Sequence, residues 1–353
     1  MKNSKILIIL TILLLLVLFL GCTKQNPSSP IDLNTNDGNN FSILNAKFGF
    51  HIFPILQMTT WGQIDKSKSD KLFSALEDLD ADWIRMGINW IQAEPIKGTL
   101  SLDIQDKLID NFVEKNVNVL VFTGGAPPWA AQEASGTYEA IPPKNPEDYA
   151  DYLSRIVTRY KGKVSAWEVW NEPSAPHYWG GRQSTPEEYM ALLKPAYAAI
   201  KNADPNTKVV GGCVLIQFLI NDPDYTYLDG LLEQGLLDYS DIVSVHIYPK
   251  ETPDAPEKFE EVLAIVEEKV RAYGDHKIWV TEVGRASVRL TPPNKGEATM
   301  QEHVDFIKTV YRASEKHRMF WFQLKDISFN MGVMDASFNK KSSYEMLKAL
   351  QSN

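Results

Sequence analysis

Val164-Ser165-Ala166-Trp167-Glu168-Val169-Trp170-Asn171-Glu172-Pro173 begins as a short apolar, β-rich run and ends on an amide and a carboxylic acid. A carboxylate there needs a reason, because Asp and Glu are seldom buried unless paired or functional. Alone, a Glu-Pro pair at a strand end is a common way to open a loop. Its meaning changes beside Ile278-Trp279-Val280-Thr281-Glu282-Val283-Gly284, a second run of the same kind that also closes on a glutamate.

The two belong to a series. After residue 46, β-like runs recur at Phe48 to Phe53, Trp83 to Ile88, Val117 to Phe122, Val164 to Trp170, Val209 to Val214, Ile242 to Ile247, Ile278 to Val283 and Met319 to Leu324. Between them lie apolar positions at helical spacing, as in Tyr149, Tyr152, Leu153, Ile156, Val157 and Tyr160, or Phe259, Val262, Leu263, Val266 and Val270. Alternating strands and helices imply a parallel sheet. Eight units without a GxGxxG turn after the first strand favour the α/β class in its closed (β/α)8 TIM-barrel form, over residues 46–353. Chemistry in such a barrel sits at the C-terminal ends of the strands.

Composition excludes some functions. The chain has 353 residues, 44% hydrophobic and 23% charged, with a formal net charge of -9. A pI near 5.3 leaves no basic surplus to neutralise phosphates, so nucleic acid is not an expected partner. Lys2 and Lys5 precede a 15-residue apolar run, Ile6 to Leu20, followed by Gly21-Cys22. Residues 1–22 therefore read as an export signal rather than a full membrane span. The ending Leu18-Phe19-Leu20-Gly21-Cys22 resembles a bacterial lipobox with Phe19 in place of a smaller residue, which would make Cys22 the lipidated N-terminus. Residues 23–45, rich in Pro, Ser and Asn, read as a flexible tether. The expectation is an exported domain at the cell envelope, touching the membrane only through its lipid. Cys213, the other cysteine, has no partner for an intramolecular disulfide and reads as an inert buried residue.

The strand ends in order present His51, Arg85, Trp90, Pro127-Pro128-Trp129, Asn171-Glu172, His246 and Tyr248, Glu282, and Trp321. Two carboxyl groups can between them protonate a leaving oxygen and attack or activate water, as glycoside hydrolysis requires. Aromatics among polar groups suit a sugar, whose apolar ring faces stack on them. No HExxH, phosphate loop or GxSxG elbow appears, and neither a metal nor a cofactor is expected.

Asn171-Glu172-Pro173, His246-Ile247-Tyr248, Thr281-Glu282, Arg85 and Trp321 together resemble the large clan of retaining (β/α)8 glycoside hydrolases. Trp90 to Glu94-Pro95 with Gly98, and Ala126-Pro127-Pro128-Trp129-Ala130, look most like family 39 and its relatives. The resemblance covers residues 46 to 350. It implies Glu172 as the general acid/base and Glu282 as the nucleophile, with Asn171 on the sugar 2-hydroxyl. Arg85 and Tyr248 would hold Glu282 ionised and oriented, and His246 would orient the same cluster. Trp321 and Trp129 would be sugar platforms and His51 a further contact, and the position of the loop after strand four should let Trp179 or His177 contact the leaving-group side. Glu168 and Glu94 receive no chemical step; Glu168, one pleat deeper than Glu172, is expected as a buried partner. The competing reading is a polysaccharide-binding surface lipoprotein whose barrel is catalytically idle. The sugar, the linkage and the oligomeric state stay open.

Overall fold

The structure, a computed structural model, describes residues 48–53, 65–134, 140–217, 224–249, 252–287, 300–327 and 329–351. The export signal, Cys22 and the tether fall outside the described residues. Eight parallel strands close into a barrel in sequence order: β1 Phe48–His51, β2 Trp83–Asn89, β3 Asn118–Gly124, β4 Ala166–Val169, β5 Lys208–Gln217, β6 Ile242–Tyr248, β7 Lys277–Val283 and β8 Arg318–Trp321. One main helix follows each strand: α1 Lys66–Asp78, α2 Asp103–Glu114, α3 Pro146–Arg159, α4 Pro186–Ala203, α5 Thr226–Glu233, α6 Ala255–Tyr273, α7 Met300–Ala313 and α8 Ser342–Gln351. A single helical turn, Trp90–Ala93, also follows β2.

Local chemistry sets these helices. Asn145 caps α3 through a bond from Glu147 N, with Pro146 pre-set at the first helical position. Thr185 and Glu188 form a reciprocal capping box on α4. The apolar stripes expected on α3 and α6 are buried against the sheet. Among the described residues, no helix is long and apolar enough to cross a membrane.

The core has two layers. A large cluster fills the space between sheet and helices, and a smaller one of Leu120, Ala166, Val210, Ile242, Trp279 and Phe320 floors the barrel interior, with Trp83 packed beside it. Strand alternation then stacks inward residues above that floor, Arg85 over Trp83 and Glu168 over Ala166. Three irregularities break simple alternation, one of them on the β7–β8 pair between Val280 and Val283. The β5–β6 register shifts between Gly211 and Val214, and the β6–β7 register shifts between Val245 and His246. Such bulges re-aim side chains and are common beside active sites.

Candidate active site

Arg85 is the hub. It is wholly buried, and its guanidinium lies 4.1 Å from the centre of the Phe122 ring. Its Nε donates to Glu168 Oε2 at 2.6 Å, its Nη2 to Asn171 Oδ1 at 2.9 Å, and its Nη1 to Glu282 Oε1. Nη1 also lies 2.9 Å from His51 Nδ1. Burial alone would weaken its hold on the proton, but the charges of Glu168 and Glu282 more than restore it. Glu168, 1% exposed, takes a second bond from Thr281 Oγ1 at 2.7 Å. Burial pushes its pKa up, and the Arg85 charge with these bonds carries it below the ordinary value. It is the buried partner expected from its depth in the strand.

Glu172 and Glu282 meet above this layer, each 7% exposed. His246 Nδ1 is 2.7 Å from Glu172 Oε1 and 3.7 Å from Glu282 Oε2. One oxygen of each carboxylate and one imidazole nitrogen lie within 4.8 Å of one another. Tyr248 donates its hydroxyl to Glu282 Oε2 at 2.7 Å. Burial, then the Glu282 and Glu172 charges, raise the phenol's pKa well above its usual value, so it stays a donor. Burial lowers His246 to about 4 against the upward pull of Glu282, and His51 is likewise lowered by burial and by Arg85. Both rings are neutral near pH 7. The Glu172–His246–Glu282 cluster has ligand types and spacing that a cation could use, but Arg85 and Tyr248 already engage Glu282.

Backbone geometry explains how successive residues reach one lumen. Trp170 and Glu172 have φ of 71° and 42°, left-handed values uncommon for non-glycine residues and concentrated at functional sites. The chain therefore leaves β4 early and turns Asn171 and Glu172 back over the barrel mouth. On β7 the register skips from the Val245–Val280 pair to His246–Glu282, so consecutive Thr281 and Glu282 both serve the interior.

A model of glycosyl hydrolases family 39 matches residues 86–320. The chain belongs to this family. The sequence is 33% identical to a β-xylosidase of Caldicellulosiruptor saccharolyticus over 117 residues, 31% of this chain and 22% of that protein. It is 28% identical to endo-1,4-β-xylanase A of Thermotoga neapolitana over 181 residues, 49% of this chain and 16% of that protein. The chain thus aligns with less than a quarter of either curated relative. Solved structures with the same fold include a family 39 glycoside hydrolase from Bacteroides cellulosilyticus WH2, at TM-score 0.65 and 21% identity, covering 87% of this chain and 63% of that one. A monomeric β-xylosidase from Caulobacter crescentus CB15 gives 0.69 and 16%, covering 88% and 68%.

In this family 39 barrel, Glu172, Glu282, Asn171, Arg85, His246, Tyr248 and His51 come together, whereas two of the three tryptophans expected as sugar contacts, Trp321 and Trp179, are turned into the core. Trp321 is wholly buried, its indole against His303 and Phe306 of α7 and its Nε1 bonded to Met331 O at 2.8 Å. Phe320 faces the lumen, so the next residue must face the helices. The residue after it, Phe322, is the one at the site: its ring centroid lies 5.0 Å from His51, 5.8 Å from Phe53 and 6.2 Å from Tyr248. Counting parity from Phe320 would have found it. Trp179 is 3% exposed and packs edge-on against Trp170, because Trp170 Nε1 bonds Tyr178 O and folds that loop inward. Trp129 is half-buried, edge-on to Trp90, with Nε1 fixed to Glu94 O at 3.1 Å. Cys213, expected to be inert, instead lies inside the cluster, 3.3 Å from His246 Nε2.

Proposed function

We propose that the protein is a retaining O-glycosyl hydrolase that cleaves poly- or oligosaccharides by double displacement, with Glu172 as acid/base and Glu282 as nucleophile. The observation carrying this is the closeness of the two carboxylates, whose nearest oxygens lie within 4.8 Å. Retaining enzymes hold their carboxyls about 5 to 5.5 Å apart, whereas inverting ones need roughly 6.5 to 9.5 Å to admit a water.

The roles differ by surroundings. Glu282 receives the Arg85 guanidinium and the Tyr248 hydroxyl, donors that fix the carboxylate and aim it at the anomeric carbon. Glu172 faces a neutral imidazole, where it can hold a proton for the leaving oxygen and later take one from water. Asn171 gives its carbonyl to Arg85, which turns its amide NH2 toward a sugar 2-hydroxyl and the bond that strengthens in an oxocarbenium-like transition state. His51 Nδ1 accepts from Arg85, so its Nε2 carries the proton. That Nε2 is buried with no partner among the described residues and suits a sugar hydroxyl. Phe322, with Phe53 beside it, offers the apolar face for the ring.

The relatives' names make β-xylosides the first substrates to try. Residues 1–22 are proposed to export the chain and leave Cys22 lipidated, so that Cys22→Ser should move the protein from the membrane fraction to the soluble one. The acid role is tested with Glu172→Gln. Hydrolysis of unactivated glycosides should fall by about 10²- to 10⁴-fold, while aryl glycosides with good leaving groups lose far less in the first step. Equal losses for both would contradict the assignment.

A further inference from the structure

The His246 imidazole lies between the two carboxylates on one side and a thiol on the other, and the proton bookkeeping of that ring is constrained. Its Nδ1 faces Glu172 Oε1 at 2.7 Å and Glu282 Oε2 at 3.7 Å. When both carboxyls are ionised, a bare lone pair there would face two acceptors, which favours the proton on Nδ1. Burial keeps the ring neutral at ordinary pH, which leaves Nε2 without one. A buried acceptor with no donor is costly, because it gives up its water without a replacement. Cys213 Sγ is 3.3 Å from it. Burial and the Glu168 charge keep the sulfur in its thiol form. The alternative acceptor for the S–H, Asn171 Oδ1, is 3.9 Å away and already takes Arg85 Nη2. The sulfur's lone pair accepts Glu172 N–H at 3.4 Å, so one atom touches both the ring that holds the acid/base and the backbone that carries it.

The backbone supports the same conclusion independently. Cys213 has φ of 45° and follows Gly212 at φ of 105°, inside the β5 register shift. A Cβ on Gly212 would come 2.9 Å from Ser244 O, and Cys213 N is tied to Ser244 Oγ at 2.9 Å. A left-handed cysteine held by such a bulge is a costly conformation, of the kind that persists where it aims a side chain. Other charged groups facing the ring are Glu168 on β4 and Arg85 on β2, which pull its proton affinity in opposite directions.

We propose that Cys213 is a positioning residue: its thiol donates to His246 Nε2, holding the neutral imidazole with its proton on Nδ1, where it is given to Glu172 Oε1. The inference rests on Glu172 being the acid/base. In that reading one tautomer serves the whole cycle. Glu172 Oε1 accepts from the ring whether the carboxyl is protonated or not, and Oε2 is left to carry the proton exchanged with the leaving group and then with water.

Two measurements test it. Two-bond 15N–1H spectra of 15N-histidine-labelled protein, with the His246 signal assigned through His246→Gln, should give an unprotonated Nε2 and a protonated Nδ1. In Cys213→Ala that signal should change, by mixing of tautomers or altered ring shifts, and Cys213→Ser, which keeps a donor, should restore it. In parallel, the ratio of kcat/KM for unactivated over activated glycosides should fall about tenfold in Cys213→Ala and return to within about threefold in Cys213→Ser, since only the acid-dependent substrate relies on Glu172 being aimed. A proton on Nε2 in the native protein overturns the proposal, as does an Ala variant that lowers both substrates equally. If the spectra behave as expected but no glycoside is turned over, the hydrolase reading fails and the tautomer assignment stands.

Discussion

Replacing Arg85 by Met keeps a similar stem and removes the charge on which four side chains converge. Glu168, 1% exposed, would be left with the Thr281 hydroxyl as its partner, and Glu282 and Asn171 would each lose a donor. Breaking a buried pair from one side costs about 3 to 5 kcal/mol, because the remaining charge is stranded. In a domain of this size that lowers Tm by roughly 5 to 8 °C. The loss should depend on pH in a defined direction. In the native protein Arg85, with His246 and the Thr281 hydroxyl, holds Glu168 below the ordinary carboxylate value; without Arg85 the burial that raises it meets far less opposition. A carboxyl whose folded pKa lies above its unfolded value is destabilising as pH rises, so the deficit should be larger at pH 8 than at pH 5. Adding Glu168→Gln to Arg85→Met should recover part of the loss rather than add to it, a coupling of about 1 to 3 kcal/mol. Denaturant unfolding of the four proteins at both pH values measures all of this. A single variant within 1 kcal/mol of native, or strictly additive losses, would refute the hub. Hydrolysis should fall at least about 100-fold through misplacement of Glu282.

Two further outcomes separate packing from substrate contact and fix the effect of pH. Trp321→Leu should cost about 2 to 4 kcal/mol of stability with KM little changed, whereas Phe322→Ala, at the site, should raise KM with a smaller stability loss; the reverse pattern in calorimetry and kinetics would restore Trp321 as the sugar platform. His246 and His303, both buried, are lowered by burial from 6.5 to about 4 and about 3. A depressed histidine binds its proton more readily when unfolded, so its stability contribution is complete above about pH 6.5 and is lost as pH falls toward the folded value. Each should contribute a loss of about 2 kcal/mol between pH 8 and pH 5, and denaturation curves that coincide at those two pH values would contradict it.

The barrel was legible because its signal is repeated: eight apolar runs and the helical stripes between them agree with the observed strands to within a few residues. Glu172 and Glu282 were legible because a carboxylate at the end of an apolar strand is conspicuous, and Glu168 because pleat parity puts it deeper on the same side. What failed was local geometry. Trp321 stands where the family resemblance puts a sugar platform, but with Phe320 facing the lumen pleat parity turns Trp321 to the helices and leaves Phe322 at the site. The place of Cys213 is not legible in the sequence, because no pattern announces that the Gly212–Cys213 bulge turns a cysteine into the site. Trp179 was drawn into the core by the Trp170–Tyr178 bond, a tertiary contact that loop composition does not specify.

Covalent trapping bears most directly on the central claim. The purified protein is incubated with 2-deoxy-2-fluoro glycosides bearing activated leaving groups, β-xyloside first, and intact mass and peptide mapping follow. The account predicts a stoichiometric adduct on Glu282, absent in Glu282→Gln and formed more slowly in Arg85→Met. An adduct on Glu172 or Glu168 would contradict the assignment of roles, and turnover with inverted product stereochemistry would contradict double displacement itself.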